Sequence, residues 1–101
     1  MDITEFERSL VADGYVAVPK EMAADTVVAD HSHSWEVRAL VTAGQITLTI
    51  DSVATTYQTG HIFMMAAYCV HHEQVGANGV EYLAGRRDPA SVDDDGREYS
   101  K

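Results

Sequence analysis

The chain is poor in cysteine, in positive charge and in long apolar runs. Of its 101 residues one is cysteine, and seven basic side chains stand against sixteen acidic ones. A lone cysteine forms no internal disulfide, so a reducing, cytoplasmic setting is the default and secretion the alternative. The formal charge is −9. Residues 1–85 hold three basic and eleven acidic side chains, and residues 86–101 hold four and five. An acidic folded part repels phosphate backbones, so nucleic acid is not an expected partner. No apolar run approaches the roughly 20 residues a helix needs to cross a bilayer, and no membrane association is expected. The opening MDITEFERSL is acidic and lacks the apolar core of a signal sequence. There is no internal repeat, and the length suits a single compact domain.

What the chain does have is a pair of histidines one residue apart, His31 and His33, and a third, His71, eleven residues after Gly60. On a β-strand, alternate side chains share a face, so the pair would project together with attachment points roughly 6–7 Å apart. Two imidazoles so placed can share one metal ion, and a third from a neighbouring strand completes a facial set suited to Zn, Fe, Ni or Cu. The competing interpretation is a set of hydrogen-bonded core or surface histidines. Trp35, Val37, Ala39 and Val41 continue the same parity, which places the pair at the opening of a buried strand face and favours the metal.

Residues 3–13 carry a helical stripe of Ile3, Phe6, Leu10 and Val11, with Asp2 or Thr4 as cap and Gly14 as stop. Short β-prone runs follow at 15–18, 26–29, 35–42, 45–50, 54–58, 62–65, 69–75 and 80–86. Ala43-Gly44, Asp51-Ser52, Thr59-Gly60 and Gly76 to Gly79 are read as the turns between the later runs. About eight strands at short spacing predict an antiparallel sandwich or barrel over residues 1–87. Such folds protect their edges by closure or dimerisation, and an outward Leu40 would add apolar surface for a homodimer. In the tail, Asp93, Asp94 and Asp95 are nearly cancelled by Arg86, Arg87, Arg97 and Lys101, so residues 88–101 read as a flexible polar extension.

Two stretches resemble the sequence blocks of the cupin superfamily. HSHSWEVRALVTAG carries a His-x-His pair, His31 and His33, followed by Gly44, and GHIFMMAAYCVH places His71 after Gly60 at the spacing of small cupins. Residues 26–86 share the resemblance. It implies an all-β fold, the double-stranded β-helix or jelly-roll barrel, with a short helix added in front. It also implies a divalent metal (Fe, Zn, Ni, Mn or Cu) and frequently a homodimer. The chain departs from the pattern at His61, Ala66 and Tyr68, which shape turns. It departs again where the fourth ligand, a glutamate or glutamine, usually stands, because that position is Val37. Glu36 is adjacent. On a regular strand it faces away from the histidines, whereas a β-bulge would turn it inward as a fourth ligand. A bulge would also misplace Val37, Ala39 and Val41, so a three-histidine centre is favoured.

Three neutral ligands leave an ion's charge uncompensated, which favours a small anionic substrate such as an enolate, thiolate or carboxylate. The centre resembles those of cupin thiol dioxygenases and diketone-cleaving dioxygenases, and it is compatible with isomerases and lyases. Cys69 and Glu73 share parity with His71 and are candidate catalytic groups. The alternatives are a core thiol and a solvated rim carboxylate. His61 and His72 are expected outside the site. Tyr57, Phe63, Met64, Met65 and Tyr82 line either a pocket or ordinary core. A non-catalytic barrel that binds or senses a metal or small ligand is the contrasting function.

Overall fold

A computed structural model describes residues 1–89. The flexible extension expected at 88–101 lies outside the described residues except for its first two positions. The elements in chain order are α1 (Ile3–Ala12), β1 (Val16–Met22), β2 (Val27–His31), β3 (Glu36–Ile50), β4 (Val53–Gln58), β5 (Ile62–Met65) and β6 (His71–Arg87). No helix among the described residues is long and apolar enough to cross a membrane. Asp2 caps α1 reciprocally with Glu5, each side chain accepting from the other's backbone N–H, which satisfies two donors that the first turn leaves unpaired.

The frame is the antiparallel pair of long strands β3 and β6, in register from Glu36↔Arg87 to Thr49↔His72. Each half of this pair carries its own flanking strands. β5 pairs with the first half of β3, and β1 with the second half of β6. At the other end β4 pairs with the second half of β3, and β2 with the first half of β6. The two halves form facing walls, β5-β3-β6-β1 and β4-β3-β6-β2, joined along the bends of the two long strands.

Among the described residues six strands therefore replace the eight expected. Ala43-Gly44 and Gly76 to Gly79 break the β pattern without reversing the chain, and they coincide with the register shifts in the β3–β6 ladder. Gly44 takes φ +73°, and a Cβ there would overlap the Gly79 carbonyl. Only glycine allows the two backbones to approach so closely while bending. The inward parity changes at the same joint. Val37, Ala39 and Val41 are buried before it and Ile46 and Leu48 after it, while on β6 His71, Glu73 and Val75 give way to Val80 and Ala84. Asp51-Ser52 is a reversing turn as expected, with both residues at positive φ.

Two cores result. The barrel interior packs Val37, Ala39, Val41, Ile46, Leu48, Phe63, Met65, Val75, Val80 and Ala84. Outside the wall, α1 lays Phe6 and Leu10 onto Tyr15, Leu40 and Leu83. Leu10 seats directly over Gly85, where a Cβ would strike its side chain. Leu40 is accordingly 3% exposed. The expectation that it offers apolar surface to a second copy is corrected, because the chain's own helix covers it.

Candidate functional site

The histidines converge at one end of the barrel, though not in the way simple strand alternation implies. β2 ends at His31, after a register slip between Val28 and His31, and His33 and Trp35 stand in the connection to β3. His33 is held there because its carbonyl accepts a 2.7 Å bond from the N–H of Tyr68. Tyr68 lies in the segment between β5 and β6 at φ +64°, so the two cupin-like blocks are tied through backbone. His71 opens β6 and is 1% exposed. One ring nitrogen from each of His31, His33 and His71 lies within 4.8 Å of the others, and the ring centroids are 4.2–5.5 Å apart.

Backbone carbonyls decide which nitrogen of each ring is free. His31 Nδ1 is 2.9 Å from the Ala29 carbonyl oxygen, and His71 Nδ1 is 2.9 Å from that of Cys69. A carbonyl only accepts, so Nδ1 carries the proton in both rings. Each neutral ring then presents a bare Nε2 lone pair to the site, the form in which imidazole binds a metal. Burial lowers the pKa of His33, and the neighbouring His71 and His31 lower it further.

Glu73 occupies the space beside two of these lone pairs. Its Oε2 lies 3.1 Å from His71 Nε2 and 3.2 Å from His31 Nε2, and the residue is 9% exposed. Glu36 is elsewhere. It sits across the ladder from Arg87, whose Nε and Nη2 donate to Glu36 Oε1 at 2.8 and 2.6 Å on the outer face. The strand is regular at this point, so no bulge turns the carboxylate toward the histidines. Cys69 contributes its carbonyl to His71, and the contact of its half-buried thiol is with the Val70 carbonyl at 3.9 Å. His61 is exposed and accepts the Gln58 N–H through Nδ1. His72 pairs with Thr49 on the other parity from His71.

A narrow cavity of about 40 Å³ leads inward from His33 and Glu73, room for a few waters. Phe63, Leu48 and Met65 form its apolar wall, and Lys20, Tyr82 and Arg86 its remaining polar rim. Among the described residues neither Lys20 nor Arg86 has an acidic partner. Arg86 lies 4.9 Å over the ring of Trp35, which stacks on His33 at 4.7 Å and 8°. The contact of the Tyr82 hydroxyl is with Met22 Sδ at 4.0 Å. Burial, reinforced by the charge of Glu73, pushes the Tyr82 pKa up to about 12. It is therefore neutral at pH 7, its one hydrogen directed at a sulfur that is only a weak acceptor.

Lys20, Arg86 and the Trp35–His33 stack were not anticipated from sequence. Arg86 has the parity of Tyr82 and Ala84, so alternation alone could have placed it inside. Lys20 carried no such signal, because its position follows from the pairing Lys20↔Tyr82 between strands far apart in sequence.

No protein-family profile matches the sequence, and no curated protein matches it either. Solved structures do. A cupin superfamily protein from Desulfitobacterium hafniense superposes with a TM-score of 0.64 at 16% identity, over 75% of this chain and 69% of its own. A cupin protein from Bacteroides fragilis superposes with a TM-score of 0.61 at 20% identity, over 86% and 73%. A variant of salicylate 1,2-dioxygenase from Pseudoaminobacter salicylatoxidans gives 0.65 at 13% identity, over 72% of this chain but only 21% of the dioxygenase. At these identities the likeness is one of fold.

Proposed function

The fold is the cupin barrel, and from that premise we propose that the chain is a metal-dependent enzyme acting on a small organic anion, with dioxygenase chemistry as the leading reaction class. The observation that carries this proposal is the convergence of His31, His33 and His71, with two rings locked by backbone so that Nε2 faces the site. The donor set fits a divalent ion such as Fe, Zn, Ni, Mn or Cu. When bound, that ion supplies a Lewis acid with open positions for a substrate anion.

The chain's own residues supply the rest. Lys20 and Arg86, without acidic partners among the described residues, attract an anionic group into the cavity, and the neutral Tyr82 hydroxyl donates to it. Phe63, Leu48 and Met65 keep water from competing for these contacts. The stack of Arg86 on Trp35 and Trp35 on His33 fixes the cavity mouth against one imidazole. A salicylate dioxygenase among the structural neighbours is in keeping with this chemistry.

Metal analysis of protein purified without added metal, followed by oxygen uptake with small thiols and diketones, tests the proposal. His33→Ala should lose most of the metal and all of the uptake while the barrel stays folded. Stoichiometric metal without oxygen uptake would point to an isomerase, a lyase or a ligand-binding cupin. A metal-free wild type after reconstitution would overturn the metal proposal. We further propose a homodimer, supported now by Ile62 and Met64, 41% and 64% exposed on the short strand β5. Analytical ultracentrifugation decides this, and a monomer at tens of micromolar, about where an obligate dimer persists, would contradict it. The free thiol of Cys69 suits a cytoplasmic location.

A further inference from the structure

We propose that Glu73 is a fourth ligand of the metal, taking the part that the usual cupin position, here Val37, leaves vacant. The inference rests on the metal-binding proposal above and concerns a residue that the cupin pattern does not single out.

His31 and His71 each commit Nδ1–H to a backbone carbonyl, so in the neutral rings neither Nε2 has a hydrogen to give. Glu73 Oε2 is nonetheless 3.1 and 3.2 Å from those two nitrogens. A divalent ion seated between the three atoms would serve the carboxylate and both lone pairs together.

Distance supports the same assignment. Two atoms bound to one ion at roughly 2.0–2.2 Å, about 90–110° apart, are separated by roughly 2.8–3.6 Å. Both Glu73 separations fall inside that interval. The strand explains how the residue arrives there. Glu73 is two residues after His71 on the same face of β6, and β2 lies alongside in the register His31↔His71. The three donors thus meet where two neighbouring strands adjoin. Glu36 is kept out by its bonds to Arg87. A bound carboxylate lowers the net charge of the centre to +1, so recognition of a substrate anion falls more heavily on Lys20 and Arg86.

The test is zinc affinity of the full chain by competition with a chromophoric chelator, for wild type and Glu73→Gln, together with crystals of wild type soaked in zinc. The amide introduced by Glu73→Gln can donate its hydrogens to the ring nitrogens, so the metal-free variant should melt no lower than metal-free wild type. Loss of a partner outside the coordination shell costs roughly 10–100-fold in affinity. Loss of a ligand should cost more than about 100-fold, and the soaked crystals should place a Glu73 oxygen roughly 2.0–2.2 Å from the ion. A Glu73→Gln variant that binds zinc within that smaller range, or a Glu73 carboxylate outside bonding distance in the soaked crystal, overturns the assignment and leaves the three-histidine centre intact. Wild type that binds no zinc overturns both.

Discussion

Arg86 and Arg87 are neighbours on one strand and live in opposite electrostatic worlds. Arg87, on the outer face, donates to Glu36 and to the Asp13 carbonyl, and lies 4.3 Å over Tyr15. Arg38 closes the same cluster through Asp13 and the other contact to Tyr15. Arg86, one residue earlier, faces the cavity against an aromatic ring and, among the described residues, forms no ion pair. The carboxylates divide in the same way. Glu36 is engaged by a guanidinium, while Glu73 faces two imidazole nitrogens. The outer cluster balances its own charges, as groups that only hold a helix and a strand together can. The inner end keeps donors and cations uncommitted, which is what a ligand site needs before the ligand arrives.

If the outer region is purely structural, damage to it should cost stability and leave the site alone. Leu10→Ala removes a side chain that is fully buried against Tyr15, Leu40 and Leu83, and should destabilise by about 2–5 kcal/mol in urea unfolding. Zinc affinity of the folded fraction should be unchanged. A parallel loss of affinity would show that the helix also shapes the site and would break the comparison.

The adjacent arginines allow a sharper contrast. Arg87→Ala gives up an ion pair, a backbone bond and a ring contact, all partly exposed, and should cost about 1–2 kcal/mol. Arg86→Ala gives up one cation–π contact and should cost about 0.5 kcal/mol, while weakening uptake of an anionic ligand severalfold. Equal thermal shifts for the two variants, with no change in anion binding, would erase the distinction.

His33 provides a pH test on metal-free protein. Its folded pKa is lowered below 6.5, mainly by burial, so the unfolded chain takes the proton first. Between the folded value and 6.5 the unfolded state holds more protons, and stability therefore falls as pH falls through that window. Above 6.5 the contribution is complete. Melting from pH 8 to 5 should show a decline that His33→Gln reduces, and an unchanged slope would contradict it.

The smallest expected effect is that of Glu36→Gln. Zinc affinity should not move, since the carboxylate is bonded to Arg87 across the sheet from the histidines, and stability should drop by up to about 1 kcal/mol. A large loss of bound metal would reverse the roles assigned to Glu36 and Glu73.

Local chemistry made much of this protein legible in its sequence. The capped helix, the Asp51-Ser52 hairpin, the glycine turn before β5 and the inward sets on either side of Gly44 all follow from caps, turn preferences and period-two alternation, which are properties of a few adjacent residues. Alternation also puts Glu36 on the face opposite Val37. Tertiary structure decided what depends on distant partners. Ala43-Gly44 and Gly76 to Gly79 look like turns when read alone, and become bends because each backbone runs against the other where only glycine fits. That crossing switches parity on both long strands, bringing His71, Glu73, Tyr82 and Arg86 to one interior. Coverage of Leu40 by Phe6 and Leu10, and delivery of Lys20 opposite Tyr82, likewise depend on contacts between segments some 30 to 60 residues apart. Side-chain alternation is set by the geometry of one strand, but register is set by pairing between strands, and only the folded chain contains that information.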